Sequence, residues 1–478
     1  MILARKLFNV GLGEALNYLQ AGNMKNVKNR LNAIKYDKEQ EFEYIKQLKE
    51  YYSQGLEQQK KKVPASGILG CYRLSKFTEN ILIKVYNDII DYYGYDEKTT
   101  ALVAVGGFGR RELNPYSDID ILFLQHKKYE KKSSEFITKV LYILWDMKFR
   151  LGQSSRTVKN CIKAAEEDIT FKTSITNHRL LCGNPELYDE FAQAIPEIFA
   201  KNIYSFFYML ALEPDLNLFD LGRSVLIKEP DVKESQGGLR SIHVVLWLAK
   251  VFINASTLKE LVDKKFITRK QFVSIRKSLD YLLYVRNLLH FLDNRKQDIL
   301  KVEHQEKLIM NFFNLINEKN LRKTVETFMR SYYKHSKNIY LWVISSIEKF
   351  KRMAENLKVL PKKKKIESID KDFIIIDNTL YLKHKNYNNP DLLFRIFEIT
   401  SKKRVAYSNE IRECINCCLK YVDTDFRMNE KYFQTFREIL SNPRNLYYTL
   451  SMMHATGFLI EYLPFWKEMD CHVQHDLY

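Results

Sequence analysis

The sequence predicts an α+β protein that is mostly helical, with short β units between its helical segments. Three observations predict this class. Glycine (16) and proline (10), which break regular structure, are scarce in a chain of 478 residues. Amphipathic stripes spaced by three and four residues recur along much of the chain. Short apolar runs that stop at glycine or Asp-Asn, by contrast, are typical of strands.

The elements can be justified in chain order. Residues 1–62 are helical in pattern, and one apolar stripe runs through Phe42, Ile45, Leu48 and Tyr52. The apolar run 101–105 stops at two glycines, so it predicts a buried strand, and 119–124 predicts a second one.

Helical periodicity returns after about residue 160, and 272–289 predicts one long helix. A β-hairpin is expected at 373–382, because Asp377-Asn378 supplies turn chemistry. The rest of the chain is predicted to be helical.

Composition and charge narrow the possible functions. The chain carries 76 Lys and Arg against 58 Asp and Glu, a formal net charge of +18. A positive net charge favours binding to nucleic acid, to anionic membrane surfaces or to phosphorylated substrates. The cations are spread along the whole chain, and we interpret the dense run Lys362–Lys365 as a solvated connector. We therefore expect no specific nucleic-acid partner.

Membrane insertion and a disulfide framework are also not expected. No window of 18 residues is apolar and uncharged. Seven cysteines at irregular spacing favour a reducing compartment, so the predicted location is the cytoplasm. The cluster Cys414, Cys417 and Cys418 lacks a fourth zinc ligand and is interpreted as part of a helix with a partly buried face.

The stretch 103–124 carries the strongest chemical pattern. A strand ends in Gly106-Gly107, a short helix is expected over 109–113, and Ser117 precedes Asp118-Ile119-Asp120 on the next strand. Glycines at such a turn let backbone N–H groups approach a phosphate closely.

Asp118 and Asp120 point to one face, because side chains at i and i+2 of a strand do so. Two adjacent carboxylates repel each other, and Mg²⁺ relieves that repulsion while also binding phosphate oxygens. The pattern therefore predicts a magnesium-dependent nucleotidyl-transfer site. The alternative is a turn with a salt-bridged Asp pair.

The same stretch resembles the polymerase-beta nucleotidyltransferase superfamily, and within it the bifunctional PII uridylyltransferase/uridylyl-removing enzymes of bacterial nitrogen signalling. The resemblance covers about residues 65–478. Its motifs are GGFGRRELNPYSDIDILFL (106–124), LWDMKFRLGQSSRT (144–157), RLLCGN (179–184), LIKEPDVKESQGGLRSIHVVLWLAK (226–250), YVRNLLHFLDNRKQDILKVEHQEKL (284–308), ETFMRSYYKHSKNI (326–339) and HATGFLIEYLPFWKEMDCHVQHDLY (454–478).

The resemblance implies a polymerase-beta-like nucleotidyltransferase domain with a mixed sheet, followed by a large mostly helical domain. We divide the chain into an N-terminal helical segment (1–62), the nucleotidyltransferase domain (63–175), a helical domain (176–360) and a small β-unit with helical continuation (361–478). Relatives continue into an HD hydrolase domain and ACT domains. His475-Asp476 is therefore expected to be the lead-in to an absent HD domain rather than its metal pair.

The resemblance also implies a site, residue by residue. Asp118 and Asp120 would hold Mg²⁺, and Gly106 and Gly107 would contact the triphosphate of UTP with Ser117 nearby. Two further groups are expected at the nucleotide, each with a structural alternative. Arg110 and Arg111 would assist the phosphates or fix the turn; Lys233, Gly237, Gly238 and Arg240 would close over the nucleotide, position the protein substrate or form a helix-entry turn with paired cations.

The implied activity is transfer of UMP from UTP to a tyrosine of the PII signal protein, with release of pyrophosphate. Two alternatives stay open: an adenylyltransferase that uses ATP, and a regulatory module that binds PII or nucleotide without turnover. The family usually has Gly-His-Ser-Val-Arg-Thr where this chain has 152–157, and Asp where it has Ser241. A third carboxylate is not evident; Asp168 is a candidate, although 166–168 also fits a solvated face.

Overall fold

The computed structural model describes residues 29–61, 66–211, 227–312, 321–357, 366–376, 378–384 and 389–466. Helices dominate these residues, and the strands fall into two groups. The elements are, in chain order, α1 (Glu41–Lys61), α2 (Gly67–Tyr93), β1 (Thr100–Ala104), α3 (Gly106–Gly109), β2 (Ile119–Gln125), α4 (Glu130–Asp146), β3 (Leu151–Arg156), α5 (Val158–Glu167), α6 (Ile169–Ser174), β4 (Arg179–Gly183), α7 (Pro185–Ala200), α8 (Ile203–Ala211), α9 (Leu239–Ile253), α10 (Leu258–Asp263), α11 (Arg269–Asp293), α12 (Val302–Phe312), α13 (Leu321–Asn356), β5 (Ile366–Ser368), β6 (Phe373–Ile376), β7 (Thr379–Leu382), α14 (Asp391–Lys403), β8 (Ala406–Tyr407), α15 (Asn409–Cys418), α16 (Thr424–Met428), α17 (Glu430–Leu440), α18 (Leu446–Ala455) and α19 (Phe458–Tyr462).

The chain forms two compact units. The first holds the described residues up to Phe206 together with Asp231–Lys233 and 249–312, and the second holds the other described residues. The predicted domain limits at 62, 175 and 360 stay predictions.

A four-stranded mixed sheet lies in the first unit, in the order β3-β2-β1-β4. Strand β1 is antiparallel to β2 and β4, whereas β2 and β3 are parallel. The two predicted strands are confirmed. Strands β3 and β4 fall in segments with no predicted strand, because neither is a buried apolar run: their residues are only partly buried or exposed. The α+β class with a mixed sheet is confirmed.

The core of the first unit lies between this sheet and helices α1, α2 and α4. The Ser66 hydroxyl caps α2 by accepting from the amide of Leu69 (3.2 Å), and α2 buries its apolar face. The predicted stripe on α1 is partly wrong. Ile45 and Leu48 are buried, but Phe42 is 82% exposed, because the buried face of α1 continues through Tyr44 and Tyr51 instead.

Helix α11 is the long helix predicted over 272–289, and its inner face is buried. It begins with a capping box in which Thr268 and Gln271 exchange hydrogen bonds. Its C-terminal half packs beneath the candidate site described below. No helix of the described residues is both long and apolar enough to cross a membrane.

The second unit contains a four-stranded sheet in the order β5-β6-β7-β8. Strands β6 and β7 form the predicted hairpin. Of its turn, Asn378 has a φ of +61°, while Asp377 lies outside the described residues. Cys414 and Cys418 are buried in α15, as interpreted from the sequence. Lys362–Lys365 and His475-Asp476 also lie outside the described residues.

Candidate active site

A glycine turn follows the C-terminal end of β1, an inner strand of the mixed sheet. Gly106 has a φ of +57°, a left-handed conformation that glycine adopts without steric cost. The short helix α3 occupies Gly106–Gly109 itself, so the expected helix over 109–113 is wrong. Arg111 has a φ of +61° and interrupts any continuation, because that conformation does not propagate a right-handed helix.

The two acidic residues lie at the start of the neighbouring strand. Asp118 immediately precedes β2 and Asp120 is its second residue, so both side chains lie on one face. The amide of Val105 donates to the carbonyl oxygen of Asp120 over 3.0 Å, which joins the glycine turn to the acidic strand. The structure therefore brings Gly106, Gly107, Asp118 and Asp120 together, as the sequence predicts.

Two glycines leave space for the carboxylate of Asp120. A Cβ added to Gly106 would lie 2.6 Å from Oδ2 of Asp120. Gly152 is the residue opposite Asp120 in the parallel pairing of β2 and β3, and a Cβ there would overlap Oδ1. The carboxylate thus lies between two backbone segments that cannot carry side chains without moving it.

The Asp118–Asp120 pair is surrounded by positively charged side chains as well as by its own negative charges. Burial, followed by repulsion from Asp118, raises the pKa of Asp120 to about 6. Arg110, Lys233 and Lys296 oppose that rise, because each places a positive charge near the carboxylate. Asp118 is more open, with 46% of its side chain exposed. The arrangement combines two repelling carboxylates with three cations, which suits a divalent metal and a polyphosphate.

Lys296 is the site residue that sequence reasoning missed. Its Nζ lies 2.6 Å from Oδ2 of Asp118. The lysine follows α11 within the motif 284–308, which supports the family resemblance without singling out any one residue. Hydrophobic periodicity cannot predict that two residues 178 positions apart in sequence are in contact. The motif 284–308 was the one signal that pointed to this segment.

Helix α11 holds the loop that leads to Asp118. Arg286 donates to Oδ1 of Asn114 over 2.6 Å, and Asn114 donates to Oδ1 of Asn287 over 2.7 Å. His290 is fully buried and hydrogen-bonds the carbonyl of Pro115 through Nδ1. His290 and Arg286 both contact Asp298, at 3.1 and 2.7 Å.

These contacts also set the protonation states beneath the site. Burial lowers the pKa of His290. Burial alone would raise the pKa of Asp298, but hydrogen bonds from His290 and Arg286 outweigh it and hold that pKa well below its usual range.

The far side of the glycine turn is anchored by a buried ion pair. Arg179, at the start of β4, donates to the carbonyl of Phe108 over 3.2 Å and to the carbonyl of Gly109 over 3.4 Å. Its other nitrogen lies 2.7 Å from Glu79 of α2, whose side chain is only 9% exposed. Arg179 therefore satisfies carbonyl groups at the end of α3.

The predicted arginines and the serine of the turn have local partners. Arg110 donates to Glu112 over 2.7 Å, which agrees with the turn-fixing interpretation, and it also acts on Asp120. Arg111 packs over the ring of Tyr72 at 5.2 Å. The buried hydroxyl oxygen of Ser117 has no hydrogen-bond partner among the described residues.

The second glycine stretch is divided between the two units. Lys233 belongs to the first unit and lies close enough to influence Asp120. Gly237, Gly238 and Arg240 belong to the second unit. There Arg240 forms two hydrogen bonds with Glu234 at 3.0 and 3.1 Å, the pairing expected of a helix-entry turn.

Asp168, the candidate third carboxylate, caps a helix in this structure, and its metal role stays a prediction. It is exposed and caps α6, where it accepts from the amide of Thr170 over 2.7 Å. Within the described parts of the chain, no group of three His, Cys, Asp or Glu side chains could hold a metal. The acidic site there consists of the Asp118–Asp120 pair.

This α+β fold, with its mixed sheet and mostly helical second part, is the one predicted for a nucleotidyltransferase-type protein. Two family models match the sequence: GlnD PII-uridylyltransferase over 220–342, and uridylyltransferase GlnD third domain over 373–462.

Relatives named bifunctional uridylyltransferase/uridylyl-removing enzyme are similar over most of the chain. The protein of Hydrogenovibrio crunogenus is 32% identical over 421 residues, which is 84% of this chain and 45% of the relative. That of Pseudoalteromonas translucida is 27% identical over 461 residues, 94% of this chain and 51% of the relative. The chain spans about half the length of the relatives it matches. The predicted resemblance to this family is confirmed.

Proposed function

We propose that this chain is a magnesium-dependent nucleotidyltransferase that transfers UMP from UTP to a tyrosine of the PII signal protein and releases pyrophosphate. The observation that carries the proposal is the meeting of Asp118, Asp120 and the Gly106 turn in one compact unit, with cations around them. The named activity of the relatives supplies the nucleotide and the protein acceptor.

The acidic pair fits Mg²⁺. Burial, followed by repulsion from Asp118, raises the pKa of Asp120 to about 6, and a hard divalent cation with oxygen preference would offset this cost of the charged carboxylate. Lys296 already places a positive charge 2.6 Å from Asp118. When bound, Mg²⁺ would supply charge neutralisation at the α-phosphate and at the pyrophosphate leaving group.

The residues of the chain would do the binding and orienting. Gly106 and Gly107 present backbone with no side chain, so a triphosphate can approach the turn closely. Lys233 and Arg110 would balance the phosphate charge. The tyrosine oxygen would attack the α-phosphorus in line, forming one P–O bond as the bond to pyrophosphate breaks. The tyrosine proton would pass to solvent water in that step, and the electron pair of the broken P–O bond would leave on pyrophosphate.

The test is transfer of radiolabel from the α-phosphate of UTP, and separately of ATP, to purified PII. The wild-type chain is compared with Asp118→Asn/Asp120→Asn. A matched control is Asp146→Asn, at the exposed end of α4. We expect label from UTP in the wild type and the control, and loss of at least about 10³-fold in the double variant.

The other outcomes separate the alternatives. Label from ATP alone would identify an adenylyltransferase. Absence of transfer from either nucleotide, with PII still bound by the chain, would identify a regulatory module. Full activity in the double variant would contradict the acidic pair as the metal site.

A further inference from the structure

We propose that Lys296 is a resident counter-ion of the acidic pair: its ammonium takes a divalent cation's place on Asp118, and the incoming metal releases it toward the nucleotide phosphates. This inference rests on the proposed function. It assigns a positioning role to a lysine that lies in no predicted strand or glycine turn.

The contact between the two residues is short but open to solvent. Nζ of Lys296 lies 2.6 Å from Oδ2 of Asp118, and their side chains are 33% and 46% exposed. Exposed ion pairs of this kind contribute little to stability, because water screens them and two side chains lose freedom. A divalent cation can therefore displace the ammonium.

The backbone that carries Lys296 is held in place by contacts on both sides. Two residues further on, Asp298 accepts hydrogen bonds from Arg286 and His290 of α11. The main chain of Asp298 also accepts from the amide of Val232 over 2.8 Å, and Ile299 forms a β-bridge with Asp231. The main chain next to Lys296 is therefore held firmly, and its side chain is partly exposed to solvent.

The partner of Lys296 is anchored to the same helix. Asn114 and Pro115, which lead to Asp118, are held by Arg286 and His290. One helix therefore fixes both ends of the pair, and their approach does not depend on a loose surface encounter. This shared anchoring distinguishes the pair from an incidental surface salt bridge.

The bridge to 231–232 also places a second cation, Lys233, near the pair. Before metal arrives, these ammonium groups balance the two carboxylates. After Mg²⁺ occupies the carboxylates, the same positive charges face a site that contains a triphosphate. Removing Lys296 should therefore favour metal alone and disfavour nucleotide, two effects of opposite sign.

The first measurement uses Mn²⁺ alone, with free Mn²⁺ counted by electron paramagnetic resonance during titration of the full chain. Lys296→Gln is expected to bind Mn²⁺ about threefold to tenfold more tightly than wild type, because a competing and repelling charge is gone. Lys296→Arg should restore affinity close to wild type. The matched control is Lys301→Gln, at an exposed lysine in the same segment.

The second measurement is calorimetric binding of UTP at saturating Mg²⁺. Lys296→Gln should weaken it about tenfold, as expected for loss of one charge-assisted contact. If Lys296→Gln damages the fold, it should bind both Mn²⁺ and UTP more weakly. If the ion pair is incidental, neither affinity should change. Either result overturns the inference. Failure of both wild type and Lys296→Gln to bind Mn²⁺ also overturns the inference.

The Mn²⁺ measurement needs neither UMP transfer nor PII. Tighter Mn²⁺ binding by Lys296→Gln than by wild type therefore supports the role of Lys296 even if no transfer occurs. Conversely, active wild type with unchanged Mn²⁺ affinity in Lys296→Gln rejects the inference and leaves the proposed function intact.

Discussion

Gly152 lies opposite Asp120 in the parallel pairing of β2 and β3, and a Cβ at Gly152 would overlap Oδ1 of that carboxylate. On the other side of the same carboxylate, a Cβ at Gly106 would lie 2.6 Å from Oδ2. The position of the acidic group thus depends on Gly152, a residue without a side chain in the neighbouring strand.

The first prediction follows from this contact. Gly152→Ala should leave the fold intact, because rotation of the short Asp120 side chain relieves the overlap. The displaced carboxylate should lower UMP transfer on the order of 10²-fold. Transfer assays and thermal unfolding of the variant test this, with Ser155→Ala on the exposed side of β3 as control. Unchanged transfer in Gly152→Ala would contradict it.

The second prediction is a gain of stability from loss of a functional charge. The pKa of Asp120 is raised to about 6, so its ionised form is less stable in the folded chain than in the unfolded chain. Without divalent metal at about pH 8, Asp120→Asn should therefore raise the free energy of unfolding by about 1–3 kcal/mol.

The stability advantage of Asp120→Asn over wild type should depend on pH. Wild type loses stability as pH rises from about 4 to about 6, so the advantage of Asp120→Asn should vanish near pH 4. Urea unfolding at both pH values, with chelator present, measures it. Asp146→Asn should show no such gain, and equal stability of Asp120→Asn and wild type at about pH 8 would reject the prediction.

The third prediction concerns the polar network beneath the site. Because the pKa of Asp298 is held well below its usual range, this carboxylate stabilises the fold above its unfolded pKa of about 4. Asp298→Asn should lower the free energy of unfolding by about 2–4 kcal/mol at neutral pH, since Arg286 then lacks its charged partner.

The difference in free energy of unfolding between wild type and Asp298→Asn should shrink as pH is lowered from about 5 to about 3. Wild type loses stability in this range because the pH falls toward the pKa that Asp298 has in the folded chain. Urea unfolding followed by circular dichroism across this range is the measurement. A destabilisation by Asp298→Asn that stays constant with pH would show that packing, rather than charge, is responsible.

The fourth prediction is a coupling between Glu79 and Arg179. Arg179→Met removes one of the two cations that pair with the Glu79 carboxylate, the other being Lys76, and also the donor to two carbonyls of α3, so it should cost about 1–3 kcal/mol. Adding Glu79→Gln should recover part of that loss. A double-mutant cycle of unfolding free energies should give a coupling above about 1 kcal/mol, and strictly additive losses would contradict the ion pair.

Much of the site follows from local pattern. Two glycines after one apolar run, and Asp-x-Asp at the start of the next, are enough to place four groups at one edge of a sheet, because strand periodicity is local. The helix expected over 109–113 is wrong because Arg111 has a positive φ, which a right-handed helix does not accommodate and which no local pattern signals.

The sequence by itself determined the class of the chain, its glycine turn, its acidic pair and its family resemblance, since each depends on residues close together or on motifs in order. Only the tertiary structure decided which distant residues complete the site. Strand β3 had no apolar run, yet pairing with β2 places Gly152 at the carboxylate of Asp120. The fold of α11 and the segment after it brings Lys296 to Asp118. Such contacts form between segments far apart in the chain, so their register is set by packing and hydrogen bonding of the whole unit rather than by local spacing.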